Sequence, residues 1–212
     1  MPEHPTSIVI GTGAKAYAGG WFGTAIAIGE NTVAEAGALP DGAGGIPATE
    51  VGNLAVAFGS SPGRVIAQAF GVGNVALQVF STSSVDGGSF AEAEGNGNFA
   101  ANLFSSYNGT GSVNAALTNG SFNAAVNFFS RGSAALAGRT LDQYSGNLNL
   151  ALNVGVSTSL VTAAGPISAN VNLFGNNIKI GRTSTISAAA STAGTKTATR
   201  QATLKLWARK AH

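Results

Sequence analysis

The sequence predicts an all-β fold, a β-roll or β-solenoid of about six to seven short two-strand rungs over residues 1–181, with a basic Ser/Thr/Ala-rich tail over 182–212. Three observations carry that expectation. The first is a recurring unit. Gly52-Asn53-Leu54-Ala55-Val56-Ala57-Phe58 returns as Gly73-Asn74-Val75-Ala76-Leu77-Gln78-Val79-Phe80, as Gly97-Asn98-Phe99-Ala100-Ala101-Asn102-Leu103-Phe104, and as Gly146-Asn147-Leu148-Asn149-Leu150-Ala151-Leu152. Looser copies begin at Gly120 and Ala169, so the starts lie 21, 24, 23, 26 and 23 residues apart. A unit of this length that cannot bury its own apolar face gains stability by stacking on its neighbours. The second is composition. Only 9% of residues are charged, 44% are hydrophobic and 30 of 212 are glycine, which fits neither a disordered chain nor collagen. The third is alternation, with alanine on one register of many short runs and larger apolar residues on the other.

Along the chain, Ser7-Ile8-Val9-Ile10, Gly23 to Gly29 and Asn31 to Gly37 read as strand-length segments broken by glycine. Residues 38–50, with Pro40, Asp41, Gly42, Gly44, Gly45 and Pro47, read as a loop insertion. From Gly52 most repeats hold two strands: Leu54–Phe58 with Val65–Phe70, Val75–Phe80 with Phe90–Ala93, Phe99–Phe104 with Val113–Leu117, and Leu148–Val154 with Ser159–Thr162. Glycine and asparagine at each start supply a positive φ or a side-chain-capped corner. Asparagines at matching places can hydrogen-bond along the stack. Phe58, Phe70, Phe80, Phe104, Phe128, Phe129 and Phe174 end strands. Two readings of them stand: an exposed stripe serving as a subunit interface, through Phe80, Phe104, Phe128, Phe129 and Phe174, or a wider core that takes every ring.

Charge divides the chain. Residues 1–142 hold all nine acids and four bases, while residues 143–212 hold seven bases and no acid. Such a basic end suits an anionic partner, and Arg200, Lys205, Arg209 and Lys210 are its candidate contacts. A solvated tail that caps the last rung with Trp207 is the simpler reading. Nucleic acid is a partner only through this tail. There is no cysteine, so disulfides and thiolate sites are excluded. The opening Met1-Pro2-Glu3-His4-Pro5-Thr6-Ser7 lacks the pattern of a standard signal peptide, and no stretch has the length and apolarity of a transmembrane helix.

Ala25-Ile26-Ala27-Ile28-Gly29 and Leu54-Ala55-Val56-Ala57-Phe58-Gly59 resemble the head repeats of trimeric autotransporter adhesins, over residues 23–80. The chain is also similar to viral fibre and spike β-solenoids and to Gly/Ala/Asn-rich actinobacterial surface repeat proteins. The resemblance implies a β-roll or β-solenoid, assembly as a trimer and use in surface attachment, and names no ligand. A surface glycan or a neighbouring structural subunit is the expected partner.

Catalytic chemistry finds little support. Gly11-Thr12-Gly13-Ala14-Lys15-Ala16 matches a dinucleotide fingerprint, yet Gly19-Gly20-Trp21-Phe22-Gly23 interrupts the helix it needs and no βαβ alternation follows. The two histidines are His4 and His212. Asp86, Glu92 and Glu94 form the one acidic set to weigh as glycosidase carboxylates or a weak calcium site, against a solvated face. Asn108-Gly109-Thr110 and Asn119-Gly120-Ser121 fit a glycosylation sequon and fit turns equally well. Thr195, Thr197 and Thr199 give one short piece of an ice-binding-type threonine row. The expectation is a non-enzymatic structural or adhesive repeat protein without cofactor or metal. It self-associates at a cell surface or outside the cell. The alternatives are a virion fibre, spike or capsid-decoration protein and, third, a carbohydrate-active solenoid enzyme.

Overall fold

The computed structural model describes residues 4–37, 50–80, 89–104, 114–129, 133–138, 146–155, 159–174, 176–180 and 184–188, with backbone alone at 60–64, 114, 159, 176–180 and 184–188. The described residues are all-β and form two stacks of parallel strands. The elements are β1 (Thr6–Ile10), β2 (Lys15–Ala18), β3 (Thr24–Ala36), β4 (Leu54–Val72), β5 (Val75–Val79), β6 (Ser89–Asn96), β7 (Phe99–Leu103), β8 (Asn114–Ser121), β9 (Ala124–Phe128), β10 (Ala134–Ala137), β11 (Asn149–Val154), β12 (Ser159–Ala163), β13 (Ser168–Leu173), β14 (Asn176–Ile180) and β15 (Ser184–Ala188).

Stack A runs β1, first half of β3, first half of β4, β5, β7, β9, β11, β13, each parallel to the next. Stack B runs β2, second half of β3, second half of β4, β6, β8, β10, β12. This is a solenoid-like parallel architecture, and the strand pairs read from the repeats fall within it. Two antiparallel strands end it: β14 on β13 and β15 on β12. Residues 184–188 thus add to the sheet, although the sequence pattern places them in the tail. Their Ser-Thr-Ile-Ser-Ala composition suits a strand but carries no glycine-asparagine mark of the repeat.

The interior is built of alanine. Ala25, Ala55, Ala76, Ala100, Ala125 and Ala151 stack on one another in stack A, and Ala34, Ala67, Ala91, Ala116 and Ala135 face them from stack B. Small side chains let the two sheets approach closely, so most of the larger apolar residues lie on the outer registers. The interior also holds Val65 and Val161 and, from β5 onward, carboxamides: Gln78, Asn102, Asn127, Asn153 and Asn172 are all buried in one column. Asn127 Nδ2 donates to the Ala115 carbonyl at 2.6 Å and to that of Ser133 at 3.2 Å. Asn172 donates to Asn153 Oδ1 at 2.8 Å.

One corner carries an asparagine ladder. Each backbone N–H donates to the side-chain oxygen of the rung before: Asn74 to Asn53 Oδ1, Asn98 to Asn74, Asn123 to Asn98 and Asn149 to Asn123, at 2.8–3.0 Å. Ser168 Oγ ends the row on Asn149 Oδ1. The same asparagine side chains donate to the carbonyls of Gly71, Gly95, Gly120, Gly146 and Gly165. Those glycines have φ between 90° and 125°, and a Cβ on Gly71 or Gly95 would lie 2.0 Å from the next rung's carbonyl oxygen. Stacking at this corner therefore requires glycine.

The ladder corrects the repeat register. Asn149, not Asn147, pairs with Asn123, and Ser168, not Asn170, with Asn149. The left-handed residue before the asparagine is Gly52, Gly73 and Gly97, but then Phe122 and Leu148. Gly120 and Gly146 sit two positions earlier, in the glycine column, and imitate the repeat start. The Gly11-Thr12-Gly13 segment is a turn into strand β2, with Gly11 against the Gly29 carbonyl.

Candidate interaction surface

The outer registers of the two stacks differ. On stack B, Val33, Ile66, Phe90, Ala115, Leu117 and Leu136 form a second apolar cluster and are buried. Glu35 and Glu92 lie on the same face with Gln68 between them in register, and both carboxylates are buried. Gln68 Nε2 donates to Glu35 Oε2. Glu94, two residues along β6 from Glu92, accepts from Asn119 Nδ2 at 3.0 Å. Of the acidic set weighed in the sequence, the structure thus shows Glu92 enclosed and Glu94 hydrogen-bonded to Asn119, whose side chain also belongs to one of the two sequons. Asp86 lies outside the described residues, as do Asn108 and Thr195, Thr197 and Thr199. Among the described residues no group of three His, Asp or Glu side chains is placed to hold a metal ion.

On stack A the outer register is apolar apart from Thr6 and Thr24. Ile8, Ile26, Val56, Leu77, Ala101, Val126 and Leu152 succeed one another along the centre, with Ala101 fully buried. Beside them run Ile28, Phe58, Val79, Leu103, Phe128 and Val154. No outward position of Thr24–Ile28 in β3, Leu54–Phe58 in β4, β5, β7, β9, β11 or β13 carries a charge. At ~4.8 Å per strand and ~3.3 Å per residue the face spans roughly 34 by 16 Å. That footprint is roughly 500 Å², the size of the largest apolar patches monomers carry; its central residues from Ile26 to Leu152 are half-buried apart from Ala101, while Ile8, Ile10, Phe99, Leu150 and Leu173 are exposed.

Aromatic rings border it. At the corner that follows the strands, Phe80, Phe104, Phe129 and Phe174 adopt φ between 48° and 56°. Each backbone N–H still bonds back to a carbonyl of the preceding rung, as in Phe80 N to Phe58 O at 2.7 Å and Phe104 N to Val79 O at 2.9 Å. The left-handed turn swings the side chain out along the stack. Phe80 and Phe104 stack with centroids 5.4 Å apart, Phe104 and Phe129 at 5.2 Å, and Phe128 meets Phe129 edge-on at 4.2 Å. Phe58 extends the column through an edge contact with Phe80 at 5.0 Å. Phe174 lies over Gly155, where a Cβ would stand 2.3 Å from its ring. Exposure is 53% for Phe80, 42% for Phe104, 59% for Phe129 and 71% for Phe174. These rings border the face and none enters a wider core.

Sequence reasoning missed the opposite border. Phe22, Phe122 and Leu148 are also left-handed, and with Ile167 they are more than half exposed. The signal was available in Phe122-Asn123 and Leu148-Asn149, a bulky residue standing where Gly97 precedes Asn98. Phe122 rests on Gly97, its ring 2.9 Å from where a Cβ on that glycine would lie. The basic tail candidates Arg200, Lys205, Arg209 and Lys210 lie outside the described residues.

One buried acid stands at the asparagine corner. Glu50 Oε2 accepts from Asn53 Nδ2 at 2.7 Å and from the Gly71 N–H at 2.5 Å, terminating the ladder above Asn53. Burial raises its pKa above the ordinary carboxylate value. The two donors oppose the shift, and Glu94 adds to it through charge repulsion.

Comparison with family models, with curated proteins and with solved structures finds no match to this chain. Among the described residues no helix is long and apolar enough to cross a membrane.

Proposed function

We propose that this chain is a non-enzymatic structural or adhesive repeat protein that self-associates through the outer face of stack A and is presented on a cell or particle surface. In this reading the repeat supplies about six to seven rungs, and three copies associate, as the autotransporter head resemblance implies. The observation that carries it is the uncharged outer face of stack A bordered by exposed phenylalanines. Burial of apolar area at ~25 cal/mol per Å² favours covering such a face. A second copy is the occupant because it offers the same flat, uncharged surface with rings at matching intervals. The outer face of stack B, with its enclosed acids, offers no equivalent.

Light scattering on the 212-residue chain tests this. The expected mass is that of a trimer, or of two trimers where their ends also join. Phe104→Asp or Phe80→Asp should reduce it threefold while the β-rich circular dichroism persists. An unchanged mass in both variants, folded, would remove the stack A face as the subunit interface.

A further inference from the structure

We infer a second interface, independent of the phenylalanine border: the open edge of β1 pairs antiparallel with β1 of another copy, joining two solenoids end to end about a two-fold axis through Ile8. The two ends of the solenoid are built differently. At the far end β14 and β15 turn antiparallel across β13 and β12. At the near end β1 pairs with β3 on one side only, and among the described residues nothing occupies its other edge.

The direction of the backbone groups follows from one bond. Thr6 N donates to Gly23 O at 2.8 Å. Along a strand alternate residues point their N–H and C=O to the same side, so Thr6, Ile8 and Ile10 face β3. Ser7 and Val9 therefore direct theirs to the open edge. In an antiparallel pair centred on Ile8, Ser7 meets Val9 of the other copy, and each such pair exchanges two hydrogen bonds. All four outward groups are satisfied by that one register.

The side chains agree with it. Val9 belongs to the interior register, opposite Ala27, yet it is 48% exposed where Ala27 is fully buried. The lumen is thus open at this end. The pairing places Ser7 and Val9 of both copies over that opening and keeps Ile8, Thr6 and Ile10 outward, continuing the apolar face of stack A. β1 carries no charge, proline or bulge of the kind that protects sheet edges. A second copy is the occupant because the length, the parity and the positions of the free groups are self-complementary about Ile8.

The test uses the absence of native cysteine. Residues facing each other in a non-hydrogen-bonded antiparallel pair have Cα atoms ~4.5 Å apart, within disulfide range. Under mild oxidation Ile8→Cys gives an interchain disulfide, and Ile26→Cys, one strand inward, does not once Phe104→Asp has removed the phenylalanine interface. Val9→Pro removes an outward N–H without touching a bond to β3, and halves the solution mass with circular dichroism retained. A folded Ile8→Cys chain that stays uncross-linked, or an unchanged mass for folded Val9→Pro, overturns the proposal. Adding Phe104→Asp to the Ile8→Cys chain separates the two interfaces. Cross-linking that survives the second substitution supports an independent edge contact, and cross-linking lost with it assigns the contact to the phenylalanine face and overturns the inference.

Discussion

The two outer faces of this solenoid start from the same alanine interior and end differently. Stack B carries Phe90, Leu117 and Leu136 outward and they are buried, together with the acids Glu35 and Glu92. Stack A carries Leu54, Leu77, Val126 and Leu152 outward, bordered by exposed rings, and holds no charge. An alanine interior gives little apolar burial per residue, so a solenoid this thin needs an outer face to contribute as well. Stack B makes that contribution within the chain. Stack A has the same chemistry more exposed at its borders, and under the proposed self-association its contribution is made between chains.

The largest test of this contrast is one substitution made on both faces. Leu136→Asp places a carboxylate in the buried cluster and is expected to cost about 4 kcal/mol or more. For a chain of this size that lowers Tm by roughly 10 °C. Leu150→Asp on stack A, at a partly exposed outward position, is expected to cost within about 1 kcal/mol. Thermal melts of the two at low concentration check it. Equal losses would show that the faces carry equal weight in the folded monomer.

Next in size is the corner that joins the faces. Asn98 Oδ1 accepts from Asn123 N, and its Nδ2 donates to the Glu94 and Gly120 carbonyls. Asn98→Ala leaves those groups unpaired in a buried site and is expected to cost about 2–4 kcal/mol. Hydrogen exchange should quicken at Asn123 N–H in particular. A loss below about 0.5 kcal/mol would show that the ladder follows from stacking and contributes little to it.

Much of this architecture is legible in the sequence, and the reasons are specific. Gly-Asn before a run of Ala-x-Ala marks a left-handed corner, a ladder and an interior strand together, so Gly52, Gly73 and Gly97 locate their rungs. The register read from glycine slips at Phe122 and Leu148 because there a bulky residue takes the left-handed position while Gly120 and Gly146 serve the neighbouring column. Local glycine spacing does not reveal which of two glycine-using corners it reports. The exposure of the rings stays open in the sequence for a related reason. Phe80, Phe104, Phe129 and Phe174 swing outward through a positive φ, a backbone property with no side-chain signature. The buried carboxamide column is hidden as well, since asparagine alternating with alanine also fits a solvated outer register.

A smaller effect comes from pH. The folded-state pKa of Glu50 is raised by burial, so the folded chain holds this proton more tightly than the unfolded chain. The associated stability is fully present below the ordinary carboxylate pKa of ~4.3 and is lost as pH rises from there through the raised folded value. Glu50→Gln should flatten that part of the Tm–pH profile while keeping an acceptor for Gly71 N–H. The profiles of Leu150→Asn and wild type should run parallel, since Glu50 serves the ladder and not the open face. Parallel slopes for Glu50→Gln and wild type would assign the pH dependence to other carboxylates.

The smallest expected change in stability bears most directly on the open face. Phe129 holds φ at 54°, a conformation costing an L-residue with a bulky side chain roughly 1–2 kcal/mol. Its ring returns part of that through stacking on Phe104 and an edge contact with Phe128, and such contacts are worth about 0.5–1.5 kcal/mol. Asparagine tolerates the left-handed region far better. Phe129→Asn therefore exchanges strain relief against lost ring contacts, and the monomer's Tm should move by no more than ~2 °C. The solution mass should fall, because the same substitution removes an exposed ring from the border of the face. Under the proposed self-association, a residue held at a backbone cost while half exposed, with little effect on folding when replaced, serves the contact between copies. If Phe129→Asn lowers stability by about 2 kcal/mol and leaves the mass unchanged, the ring column is an internal brace of the stack, and stack A resembles stack B more closely than its exposure indicates.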